Sequence, residues 1–268
     1  MKKFIQDWSQ QHILLLGAQG GVGQALATQL TECGAKLTLV GRRAAELERQ
    51  AHQLGQEFVV CDLAAPEASQ QLKSYCQQTS RPVSGLLNSA GISVTNTFAE
   101  ATWEQHARLL QLNLVRPIEL THALLPLLRR NPASWVMHVG SVFGAIGFPT
   151  QATYGASKAG LARFCEALQR ELEDADVRIM HCAPRAIKTD FNQGVMASFN
   201  ERSKTAEDSP EQVAALIIKQ IEAGHYRRVI GWPERFFVKL NALFPQLVDS
   251  SMQKPRRLLR QLLQESKS

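Results

Sequence analysis

The sequence predicts an α/β fold, a doubly wound parallel sheet with helices on both faces over residues 1–232, followed by a helical extension over residues 233–268. Three observations predict it. Short apolar runs alternate with amphipathic segments along most of the chain, the pattern of βαβ units. The runs are continuously apolar, as strands covered on both faces must be. The first of them ends in a glycine-rich turn that opens a helix, GAQGGVG at 17–23.

In chain order the strands are HILLLG, KLTLVG, EFVVCD, GLLNSAG, SWVMHVGS, VRIMHCAP and RRVIGW. Helical periodicity predicts helices over 22–32, 44–54, 102–129, 151–173 and 210–223, the last started by Ser209 and Pro210. Residues 190–209 are polar and lack a sustained period, so a mobile loop is expected there, placed to cover a site.

Composition narrows the class. A chain of 268 residues with 44% hydrophobic content builds one large core. The five cysteines (Cys33, Cys61, Cys76, Cys165, Cys182) never fall at CxxC spacing, which argues against a disulfide framework or a zinc cage and fits a reducing cytoplasm. The amino-terminal segment reads into the first strand as part of the fold, unlike a signal peptide. No uninterrupted apolar stretch reaches the ~18 residues of a membrane span. The net charge of +6 resides in residues 225–268, where nine Lys/Arg stand against three acids. A nucleic-acid reader would spread that charge over a groove-binding element, so no nucleic-acid partner is expected.

The turn at 17–23 has the chemistry of a dinucleotide cradle. Gly17 permits the tight turn, Gly21 lets backbone approach a pyrophosphate, and Gly23 allows close helix-to-sheet packing. The second strand ends in Gly41, Arg42 and Arg43 where an NAD binder usually carries an acid, and guanidinium groups suit the 2'-phosphate of NADP(H). NADP(H) is therefore favoured over NAD(H), the alternative being two solvated arginines. Asp62 after the third strand serves either the adenine edge or the cap of the next helix.

YGASK at 154–158 sets a phenol and an ammonium one above the other on a helix face. A cation within about 4 to 6 Å favours the phenolate, so Lys158 is expected to lower the Tyr154 pKa from its ordinary ~10. With that pair in place the chain resembles the short-chain dehydrogenase/reductase family over residues 12–232, on GAQGGVG, NSAG at 88–91, Ser141, YGASK, and Asn113 in the long fourth helix. The step of thirteen residues from Ser141 to Tyr154 is the family's usual spacing.

The resemblance implies a Rossmann fold and carbonyl reduction or its reverse, with Tyr154 as general acid and Ser141 holding the carbonyl oxygen. Lys158 would tune the tyrosine and bind the nicotinamide ribose, and Asn113 would hold a water that replenishes the proton. It also implies cofactor contacts at Gln19, Gly20 and Val22 in the first turn, Leu63 beside Asp62, and Asn88, Ala90 and Gly91. Pro184, Arg185, Ile187 and Thr189 follow after the sixth strand, and assembly into a homodimer or homotetramer through the long helices is implied. Taken singly, Ser141 and Asn88 are also turn formers and Asn113 a helix-interior amide. The chain departs from the pattern at Leu16, at NSAG, and at Arg185, which replaces a glycine and is expected to reach the pyrophosphate or an acidic group of the substrate.

His138 and His181 read as satisfied sheet histidines, and no spacing suggests a metal. Phe143, Ile146, Phe148, Val195, Met196 and Phe199 predict an apolar pocket; with the carbonyl chemistry that the resemblance implies, an apolar small-molecule ketone, aldehyde, alcohol or acyl compound is the expected substrate. The alternative function is a dinucleotide-binding sensor or scaffold without turnover. In the extension, Leu258, Leu259, Leu262 and Leu263 repeat at helical spacing with Arg256 and Arg260 on another side. Three readings stay open: a helix packed on the domain, a helix resting on an anionic membrane, or a docking patch for an acidic carrier such as acyl carrier protein.

Overall fold

The computed structural model describes residues 3–173 and 177–266. Lys267, counted above with the basic tail, lies outside them, as do the outermost residues of the two expected segments. All seven expected strands form: β1 (His12–Leu16), β2 (Lys36–Gly41), β3 (Glu57–Val60), β4 (Gly85–Asn88), β5 (Ser134–Val139), β6 (Val177–Ala183) and β7 (Arg227–Val229). They make one parallel sheet in the order β3-β2-β1-β4-β5-β6-β7. The chain runs outward from β1 in one direction and outward from β4 in the other. The crevice between the carboxyl ends of β1 and β4 is thus the topological switch point, where such sheets bind ligands.

Helices α1 (Gly21–Glu32), α2 (Ala44–Leu54), α3 (Ala68–Gln78), α4 (Trp103–Leu110), α5 (Arg116–Leu128), α6 (Ala152–Glu171), α7 (Val195–Ser203) and α8 (Pro210–Ala223) flank the sheet. Side chains alternate across each strand, and the core divides accordingly. Ile13, Leu15, Leu37 and Met180 face the layer that holds Leu26, Leu30 and Ile217, whereas Leu14, Leu16, Leu86 and Ile179 face the layer that holds Leu72, Leu120 and Leu161.

Three segments differ from expectation. The helix expected over 102–129 starts with a Thr102–Gln105 capping box but is broken by a π turn, Gln111–Val115, between α4 and α5. At its centre stands Asn113, whose amide bonds the backbone of Ile92 in place of a regular helical position. The second difference is α3, whose polar sequence ASQQLKSYCQQ buries only Ala68, Ser69, Leu72 and Cys76. The third is the loop expected over 190–209, which contains α7. A nine-residue helix with so little periodicity is marginal alone. Here Met196 and Phe199 are buried against Leu259 and Leu262 of the extension.

That extension forms α9 (Trp232–Leu243), α10 (Pro245–Ser251) and α11 (Gln253–Glu265). The leucine face of α11 is buried, with Leu259, Leu262 and Leu263 inside, and Arg202 on α7 pairs with Glu265 at 2.8 Å. The structure therefore has α11 packed on the domain with a solvated basic edge. Its apolar face is not available to lie on lipid. Among the described residues no helix is long and apolar enough to cross a membrane.

Leu259→Ala should lower the free energy of opening α7 and α11 by about 2 to 5 kcal/mol, the range for truncating a buried leucine. Hydrogen exchange checks it: amides of α7 should exchange faster while those of β1 and β4 hold their protection.

Candidate active site

A cavity of about 640 Å³ opens at the switch point. Every residue expected to hold the cofactor lines it except Asn88, and Ser141, Tyr154 and Lys158 line it as well. The backbone makes its floor. Gly17 has φ +75, and a Cβ there would come within 2.7 Å of the Ala90 amide nitrogen. A Cβ on Gly23 would meet the Gly17 carbonyl at 2.1 Å. The helix α1 begins at N-cap Gly20 without a side-chain cap, so its first amides are left for an anion.

At the end of β2, Gln19 occupies the space beside Gly41. Its carboxamide accepts from the Arg43 amide at 3.0 Å and donates to the Arg43 carbonyl at 2.8 Å. A Cβ on Gly41 would meet its Oε1 at 2.4 Å, so a side chain there would displace the Gln19 carboxamide from Arg43. Arg43 also pairs with Glu46 at 2.6 Å, whereas Arg42 is exposed. Asp62 accepts from the Ala64 amide at 3.0 Å, which makes it a turn residue that also lines the cavity. These features fit a dinucleotide: uncapped amides, a side-chain-free floor, and cationic groups at the β2 edge.

At the other end, α6 carries Tyr154 and Lys158 into the cavity beside the carboxyl end of β5. Lys158 Nζ donates to the Val139 carbonyl at 3.1 Å and lies 5.7 Å from the Tyr154 ring centroid. Ser141 hydrogen-bonds the Tyr154 hydroxyl, and its Oγ accepts from the Phe143 amide at 3.2 Å. Asn113 lies behind the wall. Its amide donates to the Ile92 carbonyl at 2.8 Å and accepts from the Ile92 amide at 2.9 Å, which fixes the loop that carries Gly91. Asn88 also points away from the cavity, accepting from the Ala90 amide at 3.1 Å and bonding His138 at 3.2 Å. It shapes the wall from behind.

The acidified phenol expected from YGASK is not what this geometry produces. Burial pushes the Tyr154 pKa up to about 12, against a smaller lowering by Ser141. The same burial pushes Lys158 down to about 8. Desolvation outweighs a cation that stands 5.7 Å from the ring and is itself poorly solvated. At neutral pH the site therefore holds a protonated phenol beside a protonated amine.

Arg185 differs as well. Its guanidinium does not reach toward the floor of the cavity; Nε and Nη2 donate to Asp208 at 3.0 and 2.6 Å, and Nη1 lies 3.6 Å from Glu234. Of the two sheet histidines, His138 is satisfied by Asn88 and by Thr121 at 3.1 Å. His181 is not: its Nε2 is buried without a partner, and a Cβ on Gly140 would meet it at 2.1 Å. Burial lowers His138 to about 3 and His181 to about 4.

Sequence reasoning missed several contributors. Phe191 lies 5.9 Å from the Tyr154 ring, and Phe237, Val248 and Met252 bring the extension into the cavity wall beside the expected Phe143, Ile146, Phe148, Met196 and Phe199. Val195 packs in the α7–α11 cluster instead of the lining. Arg116 is 2% exposed and donates to the Leu63 and Ala65 carbonyls at 2.7 and 2.6 Å, setting the loop after β3. An arginine inside an apolar helical run, LNLVRPIEL, was the available signal. Among the described residues no cluster of three or more His, Cys, Asp or Glu could hold a metal.

Comparison with known proteins gives the family of the chain. The family described as short chain dehydrogenase matches residues 11–199. Dehydrogenase/reductase SDR family member 7B of Mus musculus is 29% identical over 71% of this chain, and the match covers 62% of that protein's length. Sulfoacetaldehyde reductase 2 of Chromohalobacter salexigens is 30% identical over 67% of this chain and 73% of its own. Among solved structures, Pseudomonas aeruginosa RhlG with NADP aligns over 84% of this chain and 95% of its own at TM-score 0.76 and 25% identity. A Burkholderia phymatum short chain dehydrogenase/reductase with NAD aligns over 91% and 96% at TM-score 0.83 and 19% identity.

The histidines give a pH prediction. Their folded pKa values lie below the unfolded 6.5, so the stability they permit is fully present above pH 6.5 and is lost as pH falls toward about 4. In chemical denaturation between pH 6 and 5, His181→Gln should reduce the slope by nearly one proton's worth, about 1.4 kcal/mol per pH unit, and by much less at pH 7.

Proposed function

The chain belongs to the short-chain dehydrogenase family, and on that premise we propose that it is an NADP(H)-dependent reductase of apolar ketones or aldehydes. The observation that carries this reading is the convergence of Ser141, Tyr154 and Lys158 at one end of a cavity whose other end is a glycine floor with arginines at its edge. The first amides of α1 would hold the pyrophosphate, and Arg42 with Arg43 the 2'-phosphate. Asp62 and Leu63 would border the adenine, Ala90 and Gly91 the ribose, and Ile187 and Thr189 the carboxamide. When bound, the nicotinamide supplies the hydride.

The protein's own residues would supply the rest. Ser141 donates to the carbonyl oxygen, where negative charge develops as hydride reaches carbon. Tyr154 gives that oxygen its proton. A phenol near 12 is protonated at neutral pH, the form that reduction needs and oxidation does not. Lys158 then faces a phenolate, and its ammonium stabilises that charge in a desolvated site. Asn113 would hold the water through which the proton is restored. Phe143, Phe148 and Phe199, in ring contact at 4.6 and 5.5 Å, form an apolar wall that selects against charged substrates.

Assembly into a homodimer or homotetramer through α4 and α5 accords with the exposed Phe98, Trp103 and Val115 near that face. A carrier-linked acyl substrate would need an acidic partner beside the basic edge of α11.

NADPH oxidation with a panel of apolar ketones, aldehydes and acyl thioesters tests the reading. Tyr154→Phe should lower kcat by roughly 10²- to 10⁴-fold with cofactor affinity kept. Bound NADPH with no turnover on any member would instead favour the sensor or scaffold. Arg42→Ala should weaken NADPH roughly tenfold, the lower range for a charge-assisted hydrogen bond, and leave NADH unchanged. Equal losses for both cofactors would remove the basis for NADP preference.

A further inference from the structure

Helix α9 is twelve residues long and has no buried residue. Its inner side is accounted for: Glu234 faces Arg185, Phe237 lines the cavity, and Asn241 donates to the Ala145 carbonyl at 3.0 Å. Those positions repeat as i, i+3 and i+7. The opposite stripe is Trp232, Phe236, Lys239 and Leu243 at i, i+4, i+7 and i+11, continued by Phe244 and Leu247 at the start of α10. The five apolar side chains of this outer surface are 52% to 76% exposed. A soluble surface seldom spends one Trp, two Phe and two Leu on water in so short a segment.

The charges around that stripe are predominantly positive. Arg235 and Lys239 stand on it, and no ion pair is formed by either among the described residues. Of the nearby acids, Glu234 is turned inward to Arg185, Glu265 is held by Arg202, and Asp249 of α10 is exposed beside the hollow lined by Pro149 and Met252, so the six exposed basic groups of α9 and α11 outnumber these acids. Beyond, Lys254, Arg256, Arg257 and Arg260 are exposed on α11, whose Leu259, Leu262 and Leu263 are buried.

We propose that the outer face of α9 and the start of α10 is a docking surface for anionic lipid, with Trp232, Phe236, Leu243, Phe244 and Leu247 entering the interface and the basic side chains meeting lipid headgroups. Aromatic and aliphatic side chains flanked by lysine and arginine are what an interfacial helix requires. A second copy of the chain would bury the apolar stripe but would bring like charges together. An acidic protein would meet the charges but leave the Trp and Phe rings without an apolar partner. The same helices form the outer wall of the cavity through Phe237, Val248 and Met252. A docked protein thus presents its cavity to the bilayer, and a carbonyl compound dissolved in lipid is the substrate class that follows, a consequence that rests on the reductase reading.

The test is sedimentation of the full chain with vesicles of phosphatidylcholine alone or mixed with phosphatidylglycerol. The expected result is binding to the anionic vesicles that weakens with salt, reduced roughly tenfold or more in Phe236→Ser/Leu243→Ser/Leu247→Ser, none of which lines the cavity. NADPH binding and turnover of a water-soluble carbonyl compound should be unchanged in that variant. Equal binding to both vesicle types, no binding to either, or a wild-type dimer in lipid-free ultracentrifugation that the variant converts to monomer would each overturn the proposal. Partition is read without turnover, so vesicle binding with no reductase activity counts against the enzymatic reading alone.

Discussion

The site rests on burying one ammonium. Lys158 is 4% exposed, and an ionised amine so placed costs several kcal/mol unless its donors are met. The last carbonyl of β5 meets one at 3.1 Å. Gly91 borders the group, and a Cβ there would be in ordinary contact with Nζ at 3.5 Å but would crowd Asn113 Oδ1 at 3.3 Å. The loop that presents Gly91 is held in turn by Asn113, and Asn113 reaches Ile92 because the helix widens into a π turn there. Behind them runs a chain of bonds from Asn88 through His138 and Thr121 to the Pro117 carbonyl. The environment that makes Lys158 a reluctant cation also makes Tyr154 a reluctant anion. In that state the tyrosine keeps its proton until negative charge develops beside it.

How much of this could be read from the chain depended on the range of the forces involved. The seven strands were legible because burial on both faces leaves a continuous apolar run. Helices α1, α2, α6 and α8 were legible from their periods, and Ser209-Pro210 marked where α8 starts. The π turn was not, since one extra residue in a helical turn leaves the surrounding period almost intact. The glycine floor and the Ser141, Tyr154 and Lys158 constellation were visible as motifs. The direction of the tyrosine shift was not, because a motif records the neighbouring charge and omits the desolvation. Arg185 and His181 carried no readable signal either: what decides them is Asp208, Glu234 and Gly140, brought close only by the fold.

The outer wall extends the same point. Between Arg185 and Asp208, 23 positions apart, the chain makes α7; between Arg202 and Glu265, 63 apart, it makes α8 through α11. Separations of that order are inexpensive, since doubling a loop costs only about 0.6 kcal/mol. Arg185 binds Asp208 before α8 and faces Glu234 on α9, while α11 returns to pack on α7. The contacts close a ring, from Arg185 through α9, α10 and α11 to α7 and back through Asp208. A guanidinium committed to two carboxylates holds no phosphate without giving one up, so the residue that departs from the family glycine serves the wall instead. Because the ring is closed, α7 cannot open without disturbing α11, and what touches the outside of α9 acts on the same body that lines the cavity with Phe237, Val248 and Met252.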